Sequence, residues 1–405
     1  MSFISTYKAF VMNNIGDFNK IYDEKFNSTA TIKFNIFIND YQTFFYYDAE
    51  IMKLLQMIKE EDTKIRKIFS NIPDTAVLQY LRKSLIDEIE YTNQIEGVIS
   101  TRKDINDLIN EIEKNIKTKN RFKGIVNKYL LLIKDKRKLE KAEDIRKLYD
   151  EMLLDEIKEE DKGNLPDGKL FRKDIVHVYS HNSQIIHDGV VPEEKIIEYL
   201  NISLNILNDK NIDVLLRCAI FHYLFAYIHP FYDGNGRINR FISSYILKNY
   251  MHSTTSFRLS MTIKENITEY YDAFKYTNDI RNRADLTTFV YFFLDILYKS
   301  YQKTEIYILD KLKTYTYYLE LIEKISLKKT EKTILELLLG SEIFGDLGIA
   351  KTDIQKISEL GNTSVTKVLA TLKSLNLYKE YQSGRYFYYS ANLDEIDKYS
   401  IWFFS

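Results

Sequence analysis

The 405-residue chain has one cysteine, four prolines, thirteen glycines and one tryptophan. A lone Cys218 excludes an internal disulfide and any zinc cluster built on cysteine pairs, and its setting in "VLLRCAIF" makes it a small core residue. Scarce glycine and proline leave few turn-makers while Lys, Glu, Leu, Ile, Asn and Tyr abound, so a mainly α fold is expected. An excess of one charge is also missing: 57 Lys plus Arg against 58 Asp plus Glu leave −1, which argues against a surface built wholesale for nucleic acid or anionic lipid. Long hydrophobic runs are lacking too. The longest uncharged aromatic stretch, Ala219 to Tyr232, falls short of the roughly 18 residues a membrane span needs. The opening "MSFISTYKAFVMNNIGDF" has no basic segment followed by a long apolar one, so a cytoplasmic location without membrane contact is the default expectation. Length and 45% hydrophobic content allow two or three domains with sizeable cores.

Residues 1 to about 90 read as helices with a less regular aromatic stretch around "FNIFINDYQTFFYY". Leu78, Leu81, Leu85 and Ile89 stand at helical spacing and predict a core-facing stripe. Charged helices follow from Lys103 to Glu159, then "GNLPDGKLFR" breaks the pattern and "IVHVYSHNSQIIHDG" alternates like a short hairpin. A nearly unbroken helical pattern runs from Pro192 to Tyr301. After about residue 326 the texture changes to short helices and a strand–turn–strand centred on Ser383 and Gly384.

The sharpest local signal is "HPFYDGNGRINR", His229 through Arg240. Pro230 disfavours helical geometry in the residue before it, so the apolar helix upstream should stop near His229. "DGNG" then forms a tight loop feeding a helix N-terminus, where backbone N–H groups and the helix dipole make a nest for an anion. Arg237 and Arg240, three apart, leave the first turn on one side and suit the outer phosphates of a polyphosphate. Asp233 would repel such a ligand unless Mg²⁺ lay between them. His229 has the intrinsic pKa of a base for an incoming hydroxyl. Together these groups read as metal-assisted phosphoryl or nucleotidyl transfer. No G-x-x-x-x-G-K-[ST] is present, and the last position of a G-x-G-x-x-G starting at Gly234 is Asn239.

His229-Pro230-Phe231-x-Asp233-Gly234-Asn235-Gly236-Arg237-x-x-Arg240 resembles the signature of the Fic family at every fixed position, and the likeness runs from about Thr92 to Tyr298. The resemblance implies a protein adenylyltransferase that moves AMP from ATP to a target hydroxyl. It makes His229 the base, Phe231 the inward anchor of the loop and Asp233 the Mg²⁺ ligand. Gly234, Asn235 and Gly236 become the nest, with Arg237 on the β- and γ-phosphates and Arg240 on the γ-phosphate. "FRKDIVHVYSH" resembles the family's hairpin flap, so Val176, His177, Val178 and Tyr179 would cover the nucleotide and pair with the target backbone. In "ITEYYDAFKYTND", Tyr270 and Asn278 would line the adenine and ribose pocket. Thr92-x-x-x-Glu96-Gly97 fits the family's inhibitory helix motif, whose glutamate would pair with Arg240. Read without the resemblance, it is a helix ending at a glycine with a solvated Glu96.

The tail resembles a winged helix–turn–helix domain. Lys367, Lys373, Lys379 and Arg385 are its DNA-facing candidates, yet residues 326–405 hold ten Lys plus Arg against ten Asp plus Glu, so protein contact or dimerisation is favoured over DNA. The expected organisation is a helical N-terminal region (1–90), a Fic helical bundle core (91–300) with the inhibitory motif at 92–97 and the flap near 171–189, a connecting helix (301–327) and the winged helix (328–405). Expected partners are ATP, a target protein, and the chain itself as acceptor or homodimer. Two other readings are removal of AMP from a modified protein and a ligand-sensing transcriptional regulator.

Overall fold

The computed structural model of the protein describes residues 6–12, 15–132, 138–179, 185–383 and 386–403. Contacts divide the chain into two compact units, one of residues 1–62 with 87–301 and one of 63–86 with 302–405. This division runs differently from the sequence expectation, since the first sixty residues join the core instead of forming a region of their own.

The first unit opens with helices α1 (Thr6–Met12) and α2 (Ile15–Phe26). They are followed by a hairpin of β1 (Thr31–Ile38) and β2 (Tyr41–Tyr46), which corrects the expectation of an irregular aromatic stretch. Its two-residue turn places Asn39 and Asp40 at φ 49° and 67°, the backbone that matches the twist of paired strands, and Phe34, Ile36 and Ile38 alternate inward. Asn39 Nδ2 donates to Asn278 O at 3.0 Å, and Leu286 N donates to Phe44 O at 2.9 Å, so the hairpin is stitched to the later helices. The Arg283 guanidinium lies over Phe18 and Tyr22 at 4.6 and 4.8 Å, fixing α2 in the same way.

Helix α3 (Ala49–Phe69) leads into α4 (Asp74–Ile95), which ends where Gly97 takes φ 74°. The expected stripe on α4 is corrected at one end: Leu85 and Ile89 are buried, but Leu78 is 57% exposed and Tyr80 fills the core instead. Helices α5 (Arg102–Glu113), α6 (Lys123–Leu132), α7 (Ala142–Met152) and α8 (Leu154–Glu160) come next, then the hairpin of β3 (His177–Tyr179) and β4 (Ile185–Asp188). Helix α9 (Glu193–Asn208) packs on α10 (Val214–Ile228), an all-round apolar helix with twelve buried residues, Cys218 among them. Burial pushes the Cys218 thiol up to about 12, as suits an inert core residue. Helix α11 (Asn235–Lys248) packs on α10, and α12 (Ser253–Ser256), α13 (Leu259–Glu265) and α14 (Ile267–Asn278) follow.

Helix α15 runs unbroken over Thr287–Lys324, so the expected boundary at residue 301 falls inside a helix. The second unit then holds α16 (Lys329–Phe344), β5 (Ile349–Ala350), α17 (Lys351–Ser358), α18 (Asn362–Ser374), β6 (Tyr378–Ser383), β7 (Tyr386–Ala391) and α19 (Leu393–Ile396). The strands form an antiparallel sheet of order β5-β7-β6. The Gly384 and Arg385 expectations lie outside the described residues.

Candidate active site

Helix α10 stops as the sequence requires. His229 turns into the left-handed region at φ 53° and ψ 63°, a conformation uncommon for a residue with a side chain. Arg172, fully buried, holds it there: Nε donates to His229 O at 2.8 Å, Nη2 to Val190 O at 2.9 Å and Ile228 O at 3.3 Å, and Nη1 to Asp174 O at 2.6 Å. Bound to carbonyls among the described residues, this cation ties both feet of the β3–β4 hairpin to the peptide carrying His229. Burial lowers the His229 pKa to about 3, with His187 and Arg172 adding to the lowering, so its imidazole is neutral. Its Nδ1 lies 3.3 Å from Ala226 O. A proton on Nδ1 would leave Nε2 as the acceptor.

The loop after His229 closes on itself. Phe231 is buried, stacked on Tyr149 with centroids 3.8 Å apart and edge-on to Phe171. The Asn235 side chain bridges the turn, accepting from Phe231 N at 3.0 Å and donating to Phe231 O at 2.7 Å, so only its backbone is left for a ligand. Gly234 caps α11 at φ 84°, and a Cβ there would meet Leu153 Cδ1 at 2.6 Å. The first bond of α11 runs from Ile238 N to Gly234 O, which leaves the N–H groups of Asn235, Gly236 and Arg237 without intrahelical acceptors. A Cβ at Gly236 would sit 2.0 Å from Glu96 Oε1, so glycine lets that carboxylate lie close against the helix start, and a larger residue would have to displace it. Asp233 Oδ1 accepts from Gly234 N at 2.5 Å and lies 3.8 Å from Arg237 Nη2.

The two arginines diverge. Arg240, 1% exposed, donates from Nε to Thr92 Oγ1 at 2.8 Å, and from Nη2 to Thr92 O at 2.9 Å and Glu96 Oε1 at 2.8 Å. Thus the last turns of α4 reach α11 through the motif residues Thr92 and Glu96. Arg237, fully buried, pairs instead with Glu156 of α8 at 2.5 Å. Glu88, two turns before Glu96, accepts from Ser260 N at 2.8 Å, Ser260 Oγ at 2.6 Å and Ser244 Oγ at 3.2 Å. Burial raises its pKa to about 7 against the lowering by those bonds and by Arg240.

A cavity of about 270 Å³ is lined by His229, Asp233, Gly234, Asn235, Gly236 and Arg240, with Glu96 at its wall. Its far side carries His177 and Val178 of the flap, His187, and Tyr270, Tyr271 and Phe274 of α14. Val176, Arg237 and Asn278 are not part of that lining, and the Tyr179 side chain lies outside what is described. Asn278 stands one layer back, where its Nδ2 donates to His187 Nδ1 at 3.2 Å and its Oδ1 accepts from Tyr223 at 2.5 Å. His222, buried with its pKa lowered to about 3, bridges Ser243 and Tyr270 at 2.8 Å each. Arg172, Glu156, His187 and His222 escaped the sequence reading. For Glu156 a signal existed, an acid between the buried Leu153 and Ile157 on an apolar helix face.

Residues 139–247 match the Fic/DOC family. A probable protein adenylyltransferase of Aquifex aeolicus is 37% identical over 86 residues, 21% of this chain and 24% of that protein, so the match spans about a quarter of that relative's length. The crystal structure of a Fic family protein from Desulfovibrio desulfuricans G20 aligns with a TM-score of 0.51 at 17% identity, covering 85% of this chain and 96% of that one, which is a likeness of fold. The Fic/DOC likeness is therefore one of residues 139–247, and the loop from His229 to Arg240 lies inside them.

Proposed function

We propose that the protein is an adenylyltransferase that moves AMP from ATP to a Ser, Thr or Tyr hydroxyl of a target protein, restrained by Glu96. The observation that carries the reading is one cavity shared by His229, the Gly234–Gly236 loop and Arg240. The neutral imidazole takes the proton of the acceptor hydroxyl, whose oxygen attacks the α-phosphorus as the bond to diphosphate breaks. Phosphate charge beside His229 raises its affinity for that proton, opposing the burial that lowers it. The N–H groups that open α11 receive phosphate oxygens. Asp233 fits a Mg²⁺ role: no group of three His, Cys, Asp or Glu residues forms a protein-only cage among the described residues, and one carboxylate plus substrate phosphates suffices for this ion. When bound, Mg²⁺ supplies charge neutralisation between Asp233 and the phosphates.

Glu96 takes the guanidinium that the outermost phosphate needs, so ATP enters in a non-productive pose until the pair opens. The flap presents a short β-edge to an extended target segment. We read the second unit as a winged helix used for protein contact, because two of its DNA candidates are paired with acids, Lys373 with Glu380 at 3.4 Å and Lys379 with Asp394 at 3.2 Å. Incubation with labelled ATP, Mg²⁺ and a cell lysate tests the reading. Labelled protein is expected, falling about 10²–10⁴-fold with His229→Ala. Equal labelling by that variant would remove His229 as base, and removal of AMP without transfer would make Glu96 a water-orienting group.

A further inference from the structure

Both arginines of the loop meet a glutamate, and the two pairs differ in ways that separate their roles. Glu96 is 27% exposed, stands at the end of α4 and lines the cavity, while Arg240 has Thr92 as a second partner. Arg237 and Glu156 are both 0% exposed and meet through a single contact, Nη1 to Oε1. Neither Nε nor Nη2 of Arg237 has a hydrogen-bond partner among the described residues, and neither has Glu156 Oε2. An unpaired buried donor is expensive to keep, so two such donors on one edge of a guanidinium point to a ligand as their acceptor. Its direction is fixed by Asp233, a cavity-lining carboxylate whose Oδ1 lies 3.8 Å from Nη2. Nη2 therefore lies on the side of Asp233, one layer behind the cavity lining, while Glu156 grips the other terminal nitrogen, Nη1.

We propose that Glu156 is a positioning residue that braces Arg237, holding its Nε and Nη2 edge ready for two phosphate oxygens. The inference rests on the adenylyl-transfer reading. A planar guanidinium binds phosphate through two parallel N–H groups only if its plane is set in advance, and a charge-assisted bond at Nη1 sets it. Glu156 cannot leave as Glu96 can, because it lies between Leu153 and Ile157 on the buried face of α8. The two glutamates thus act with opposite sign, Glu96 as a brake and Glu156 as a brace. Glu156→Gln keeps the shape and an acceptor oxygen but removes the charge, which loosens the guanidinium without adding repulsion toward an anion.

The test compares full-length Glu96→Gly with Glu96→Gly/Glu156→Gln, with rates of AMP transfer scaled to the folded fraction measured by circular dichroism. The expected result is a kcat lower by about tenfold or more with KM for ATP unchanged or reduced, since orientation and not ground-state attraction is lost. A kcat equal to or above that of Glu96→Gly overturns the brace, as does a raised KM with unchanged kcat. Should the double variant not fold, Glu156→Asp keeps the charge on a shorter arm. It is expected to lower kcat several-fold with KM unchanged, and undiminished kcat overturns the proposal. A transfer-independent arm titrates the full chain with inorganic tripolyphosphate: Arg237→Gln should weaken binding by about tenfold while Glu156→Gln leaves it equal or tighter. An Arg237→Gln protein that binds as well as the parent sinks the inference alone, whereas absence of transfer by Glu96→Gly sinks the adenylyltransferase reading.

Discussion

His229 owes its low pKa of about 3 chiefly to burial, with His187 and Arg172 lowering it further, so an anion entering the cavity pushes it back up. The kcat/KM profile reports the free enzyme and kcat the nucleotide complex. In Glu96→Gly, kcat/KM should show no His229 acid limb down to about pH 5, while the limb of kcat lies at higher pH because phosphate favours the imidazolium. Coincident limbs for both constants would show that the base is not His229. Arg240 makes the second residue-scale case. Its Nε and Nη2 are taken by Thr92 and Glu96, and releasing Glu96 removes a partly buried pair. Glu96→Gly should raise transfer, including to the chain's own hydroxyls, by about tenfold or more, and adding Arg240→Ala should abolish the gain. Wild-type transfer by Glu96→Gly would leave the pair without an inhibitory role.

At the scale of elements, the brake depends on how α4 is docked. Glu88 and Thr92 stand four apart on one face of the helix, and Glu96 follows directly after its last residue. Glu88 contacts Ser244 on α11 and Ser260 at the start of α13, two turns before the brake. Glu88→Ala leaves those donors unpaired and loosens the turn that carries Glu96, so basal transfer should rise several-fold although Glu96 is intact. Glu88→Gln, which keeps an acceptor, should rise less, and equal basal rates for Ala, Gln and parent would show that α4 stays docked without this residue. What the sequence disclosed follows the same lines. The loop was legible because its residues are contiguous, and Glu96 with Arg240 because a linear motif pointed to each. Arg172 and Glu156 were not, since their partners His229 and Arg237 lie 57 and 81 residues away. The β1–β2 hairpin was overlooked although "ND" between alternating strands marks its turn, because a string of aromatics obscures the period. Leu78 kept the helical spacing and still faces outward, as periodicity finds a face without saying how far along the helix it is covered.

Across the whole chain, titration divides along the same line as the contacts. All six histidines fall within residues 87–301, so the unit of residues 63–86 and 302–405 has none. Burial depresses His187 to about 4 and His222 and His229 to about 3, against about 6.5 in an unfolded chain. The unfolded form therefore binds protons that the folded form refuses, and stability is present above pH 6.5 and drains away as pH falls toward 3 to 4. Glu88 acts in the opposite direction: its pKa is raised to about 7, so its contribution is whole below about 4.5 and fades as pH rises through 7. Acid should thus weaken the histidine-bearing unit and spare the other. In scanning calorimetry, lowering the pH from 7 to 4.5 is expected to move one transition down by about 10 °C or more while a second moves less. His222→Gln supplies the control, since an amide can still bond near Ser243 and Tyr270 but does not titrate. Its melting temperature should be lower at pH 7 and fall less steeply with acid. Two transitions shifting together, or an acid limb as steep in His222→Gln as in the parent, would mean that groups other than these histidines govern the response to acid.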